Sequence, residues 1–152
     1  VTEALSPEAQ LDGFLAKFTP GVEAQARAAL ARMRSRLPGA VQLVYDNYNA
    51  LAIAFGAHEK LSGVVFSIAL YPRWVSLFFA RGAELPDPGG LLQGEGKGIR
   101  HIVLNDIALF DDPAVEALIA EALARATPPI DPTRPGKLII KSVSAKQRPR
   151  RP

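Results

Sequence analysis

Hydrophobic positions along the chain change period twice, from helical to alternating and back again. Leu11, Phe14, Leu15 and Phe18 recur at helical spacing behind Ser6-Pro7, an N-cap followed by proline at the first helical position, and predict a short helix ending at Thr19-Pro20. Thr19-Pro20 repeats the start signal for a second, alanine-rich helix running to about Arg36. Its apolar face carries Val22, Ala26, Ala29, Leu30 and Met33, Arg27, Arg32, Arg34 and Arg36 fall mostly outside, and Leu37-Pro38-Gly39 stops it.

Short runs rich in β-branched and aromatic residues follow at 41–45, 51–55, 64–71 and 74–79, joined by connections too short for crossover helices. An antiparallel meander is the expected result. A long connection, 82–98, carries one predicted helical turn around Gly89–Leu92, and Ile99–Leu104 reads as a fifth strand. Asp111-Asp112-Pro113 caps a last helix to about Ala126, with Val115, Leu118, Ile119, Ala122 and Leu123 as its buried stripe. A proline-rich stretch cannot continue it, and Lys137–Ala145 alternates well enough for a sixth strand, whose pairing in its own sheet, in a partner's or in none is left open. The fold class expected is α+β: an antiparallel β-sheet of about five to six strands with two N-terminal helices and one C-terminal helix packed on one face. In domain terms this is a single unit over 1–127, a linker over 128–136, and a strand with a basic tail over 137–152.

Composition adds limits. With 152 residues, 48% hydrophobic and 22% charged, the chain has the make-up of a globular domain. The absence of cysteine excludes a disulfide framework, a thiol nucleophile and a cysteine-ligated metal or iron–sulfur cluster, and agrees with a reducing compartment. No apolar run approaches the ~18–20 residues that span a bilayer, and the start Val-Thr-Glu-Ala-Leu lacks a leader pattern, so a cytoplasmic protein without a membrane partner is expected. The net charge of +3 is unevenly placed: residues 133–152 hold seven cations and no acid, leaving eleven cations against fifteen acids before them. Any nucleic-acid partner would therefore be met by Lys146, Arg148, Arg150 and Arg151 contacting phosphates, while the simpler expectation is a solvated, frayed end.

The densest candidate for chemistry is Gly94-Glu-Gly-Lys-Gly-Ile-Arg-His101, where Gly94, Gly96 and Gly98 allow backbone N–H groups to converge on an anion and Lys97 and Arg100 supply charge. A P-loop would need glycine at Leu91 and a hydroxyl at Gly98, and a dinucleotide fingerprint would need glycine at Ile99, so the competing reading is a turn needing positive φ. On a strand, Arg100 and His101 point to opposite faces. His58 reads as surface. Tyr45, Asp46, Asn47, Tyr48 and Asn49 have the composition of a tight turn, with the further option that Tyr45 or Tyr48 lines a pocket with Arg81. Acids cluster only at Glu8/Asp12 and at Asp106/Asp111/Asp112/Glu116, and first-turn acids have a structural cause in the helix dipole. No catalytic spacing is present, which weighs against an enzyme.

The runs Val44–Asn49, Phe66–Arg73 and above all Arg81-Gly-Ala-Glu-Leu-Pro-Asp-Pro-Gly-Gly-Leu-Leu-Gln-Gly-Glu-Gly-Lys-Gly-Ile-Arg-His101 resemble the bacterial YdhG-like family, a domain of unknown function that includes a frataxin-like iron chaperone. The resemblance covers about residues 8–127. It implies a small intracellular α+β domain with a curved antiparallel sheet, and it carries motif positions onto Arg81, Leu85, Pro86, Asp87, Pro88, Gly94, Gly96, Lys97, Arg100 and His101. Three functional expectations result. The first is a non-enzymatic domain binding a small anionic or polar ligand through the glycine segment, Arg81 and the nearby tyrosines. The second, implied by the resemblance alone, is iron carriage by Glu8, Asp12, Asp111, Asp112 and Glu116, no other cofactor being expected. The third is an interaction module acting through the basic tail; an edge-paired homodimer is compatible with an exposed strand at 137–145.

Overall fold

The computed structural model describes residues 5–152; the start read above as lacking a leader pattern lies largely outside them. Ser6 caps α1 (Pro7–Leu15), its side chain accepting from the Ala9 amide. This helix is shorter than predicted. Lys17 N–H donates to Phe14 and Phe18 N–H to Leu15, tightening the exit so that the Phe18 ring turns into the core. The second helix, α2 (Pro20–Arg36), has the predicted bounds, and α3 (Pro113–Arg125) is capped by Asp112, which accepts from Ala114 N–H.

Six strands form one open sheet: β1 (Val41–Asp46), β2 (Leu51–Gly56), β3 (Val64–Leu70), β4 (Val75–Phe79), β5 (Arg100–Val103) and β6 (Lys137–Val143), in the order β5-β4-β3-β2-β1-β6. The first five make the expected meander. The sixth joins its own sheet, parallel to β1 and beyond it, with Val41 beside Lys137 and Asp46 beside Val143. Among the described residues, three α-helices and one open, mostly antiparallel sheet make this an α+β fold.

Alternation along each strand selects the face that the helices cover. Ile53, Ile68, Leu77 and Ile102 lie side by side across four strands, as do Phe55, Phe66 and Phe79, and all are buried with Leu11, Leu15, Phe18, Met33, Leu118 and Ile119 from the helices. Phe66 and Phe79 meet edge to face at 5.5 Å. The sheet therefore has a turn end, with the 47–50 and 71–74 turns, and a loop end, with residues 57–63 and 80–99.

The arginines of α2, read as an outward stripe, reach both neighbouring helices. Arg27 pairs with Asp12 and Arg34 with Glu8 on α1, while Arg32 pairs with Asp111 and Arg36 with Glu116 at and within α3. In the long connection, the helical turn falls at Gly82–Glu84 and not at Gly89–Leu92, because the Asp87 carboxylate caps the later segment by accepting from both Leu91 and Leu92 N–H.

Gly39 bears on the return of the chain toward β6. Its φ is +82°, and a Cβ there would stand 2.0 Å from the Asp131 carbonyl oxygen. Gly39→Ala is expected to lower unfolding free energy by about 1–3 kcal/mol, measured by urea denaturation followed at the single tryptophan, Trp74. Phe66→Ala is expected to cost more, about 3–5 kcal/mol, since its ring is fully buried.

Candidate functional site

At the loop end, Gln93 and His101 exchange backbone hydrogen bonds of 2.8 and 2.9 Å, closing residues 94–100 into a loop. Gly94 and Gly96 take φ of +128° and +90°, so the positive-φ requirement is real. The groups that this loop converges are carbonyls. Those of Glu95, Gly96 and Ile99 accept from the Arg100 guanidinium at 3.1, 2.7 and 2.8 Å. Arg100 thus has three internal acceptors, and its stem lies on Gly82, where a Cβ would stand 2.4 Å from the Arg100 Cβ. Gly98 accepts from Ala83 N–H, which ties the loop to the 82–84 turn. Lys97 sits exposed beside Arg100 in sequence but outside this arrangement.

His101 points to the face away from the helices, opposite to Arg100, and stacks on Phe78 with ring centroids 5.0 Å apart. His58 Nδ1 accepts from Lys60 N–H and its ring packs against Gly63, a local turn contact. Tyr45 and Tyr48 lie at the turn end, so the sheet separates them from Arg81 and the glycine loop. Burial raises the Tyr45 phenol above its ordinary pKa, while Tyr48 is exposed.

Of the residues proposed for a ligand, Arg81 lines a cavity. A hollow of about 270 Å³ lies between the loop end of β3 and β4 and the C-terminal turn of α3, lined by Val65, Phe79, Leu85, Ala122, Arg81, Glu84 and Arg125 among others. Arg125 is committed: it donates to the Glu121 carboxylate and to the Glu84 carbonyl. Among the described residues, Arg81 and the Glu84 carboxylate have no ion-pair partner, and both stand exposed at the rim.

The acids considered for iron are apart and occupied. Glu8 and Asp12 answer Arg34 and Arg27, Asp111 and Glu116 answer Arg32 and Arg36, and Asp112 caps α3. Among the described residues no three histidine or acidic side chains gather where a metal ion could be held.

The basic tail is not the frayed end expected of it. Arg150 is 6% exposed, and its Nη2 donates to Asp46 Oδ1 at 2.8 Å and to the Asn47 carbonyl at 2.5 Å, with the guanidinium 5.7 Å from the centre of the Phe18 ring. Ser144 N–H and Gln147 Nε2 donate to the Asp46 carbonyl, Arg148 N–H to that of Tyr48, and Arg151 Nε to that of Lys17. Of the four cations considered for phosphate contact, Arg150 is therefore withdrawn inside, Arg151 has a backbone partner, and Lys146 and Arg148 keep exposed side chains. Asp46 is the residue that sequence reasoning missed. It was placed in the turn, but it is the last residue of β1 and faces the core at 1% exposure. The available signal was its position two residues beyond Val44, which puts it on the buried side of the strand.

No family model, curated protein or solved structure matches the chain. Among the described residues no helix is long and apolar enough to cross a membrane.

Two outcomes follow from this geometry. Arg100→Ala is expected to release the loop, raising hydrogen exchange at the amides of 94–101 by at least tenfold with a smaller change elsewhere. The Arg32 guanidinium, hydrogen-bonded to Asp111, holds that carboxyl below the usual carboxylate range. The contribution of this pair is therefore full above the unfolded carboxyl pKa of about 4 and is lost as pH falls through the lower folded value. Asp111→Asn should lower the midpoint slightly at neutral pH, where the exposed pair contributes in full, and change little at the acid end, so that the acid limb of a midpoint-against-pH curve flattens.

Proposed function

We propose that this domain binds a small carboxylate-bearing ligand with an apolar body in the cavity beside Arg81. The observation that carries the reading is the guanidinium of Arg81 standing without an ion-pair partner among the described residues, at the rim of an apolar hollow. A planar guanidinium matches a carboxylate by two parallel hydrogen bonds, and Phe79, Val65, Leu85 and Ala122 offer the contact area that a short aliphatic or aromatic tail would bury. The volume of about 270 Å³ suits a molecule at the small end of the ligand range. Glu84 gives the same rim a negative group, so a free amine on the ligand has a place as well, and an amino-acid-like zwitterion fits better than a simple acid.

The reading keeps the small anionic or polar ligand expected from the sequence but moves it from the glycine loop to Arg81. Binding, rather than turnover, is favoured because the lining holds a single carboxylate, exposed at the rim, and no histidine or cysteine beside it.

Thermal unfolding against a panel of small carboxylates, amines and zwitterions tests this, since anything binding only the native state raises the midpoint. A saturable rise with carboxylates is expected in the wild type. Arg81→Ala should abolish it, and Ala122→Phe, which fills the hollow, should abolish it while leaving Arg81 in place. Loss of the amine preference in Glu84→Gln would support the zwitterion. A rise that persists in Arg81→Ala would remove the proposal.

A further inference from the structure

The groups around Arg150 form a receptor for a guanidinium, separate from the Arg81 cavity and at the opposite end of the sheet. Asp46 Oδ1, the Asn47 carbonyl and the Tyr48 carbonyl accept from it at 2.8, 2.5 and 3.4 Å, and the Phe18 ring supplies one wall. These acceptors belong to β1 and the turn after it, some hundred positions before the arginine that they hold. The occupant is the chain's own tail, which also leaves the site imperfectly filled. Among the described residues, Asp46 Oδ2 and Arg150 Nε are both buried without a hydrogen-bond partner. A second cation, Lys17 Nζ, lies 3.8 Å from that oxygen, on a half-exposed side chain. A guanidinium entering without the constraint of the tail could present two parallel N–H groups and satisfy both carboxylate oxygens, the arrangement that a carboxylate and an arginine prefer.

We infer that this socket is a binding site for arginine side chains, occupied in cis by residue 150, and that an arginine-bearing peptide is the partner it accepts when the tail lifts away. The backbone around it also takes main-chain donors from the occupant: the Tyr48 carbonyl takes Arg148 N–H and the Asp46 carbonyl takes Ser144 N–H, with bends at Ala145 and Lys146 between them. A guanidinium fits because the acceptors fan out from one carboxylate oxygen to two carbonyls against an aromatic face. A compact ammonium cannot reach all of them at once while stacking on the ring.

The full chain carrying Arg150→Ala leaves the socket empty, and its thermal midpoint is expected to fall by roughly 10 °C. Millimolar methylguanidinium should restore part of that loss saturably, and methylammonium should not. Adding Asp46→Asn should remove the restoration. A peptide of residues 144–152 should bind the Arg150→Ala protein, and the same peptide with alanine for Arg150 should bind at least tenfold more weakly. If Arg150→Ala does not fold, recovery of native Trp74 fluorescence on adding methylguanidinium, and not methylammonium, reads the same property. Equal effects of the two cations, no effect of either, or full stability in Arg150→Lys would each overturn the inference, the last by making the site one for any cation.

Discussion

A carboxylate on the core side of a strand is costly to bury unless a cation or hydrogen-bond donors are brought to it. Asp46 closes β1 on the face that carries Val44, and it is buried almost completely. Removing one partner of such a buried pair characteristically costs about 3–5 kcal/mol, because the other is left charged in a poor solvent. Pairing it with Arg150 requires the chain to travel from the loop end, where α3 finishes, back to the turn end of the sheet. The parallel course of β6 along β1 is that journey. The proline-rich connection, the close approach of Asp131 to Gly39, and the Lys137–Glu59 ion pair at the start of β6 all set up the same path.

Arginine has a consistent use elsewhere in the fold. Arg100 gathers three carbonyls of its own loop, Arg125 ties α3 to the Glu84 carbonyl, and four arginines of α2 hold acids on or beside α1 and α3. Individually, exposed pairs of this kind contribute little. What they share is placement: each joins α2 to an acid on or beside a neighbouring helix at one position along its length. Against that background, a cation left without internal partners at a cavity is distinctive, and Arg81 is where the functional reading rests.

Local signals made the helices and the meander legible. Caps followed by proline placed the starts of α1, α2 and α3, and a period of two placed β1 to β5 within a residue or two of their ends. What stayed hidden was non-local. Nothing within 137–145 states that its neighbour is β1, a partner some hundred positions earlier, and nothing in a run of arginines and prolines shows which one is buried. The candidate site failed to appear for a related reason. Glycine at 94 and 96 correctly announces positive φ, but that freedom can turn N–H groups inward or carbonyls inward, and only the position of Arg100 decides between them. Arg81 was legible as a candidate, whereas its cavity needs α3 to pack over β3 and β4 first.

The separation of Asp46 from Arg150, 104 positions along the chain, has a consequence for biosynthesis. At a ribosome's pace of ~5–20 residues per second, roughly 5–20 s pass between the synthesis of the acid and that of its cation. Throughout that interval the first two helices and the meander lack the arginine that closes on Asp46 in the finished fold, with Lys17 the cation already made beside it. That corner of the core is completed by a side chain synthesised after every helix and strand of the sheet.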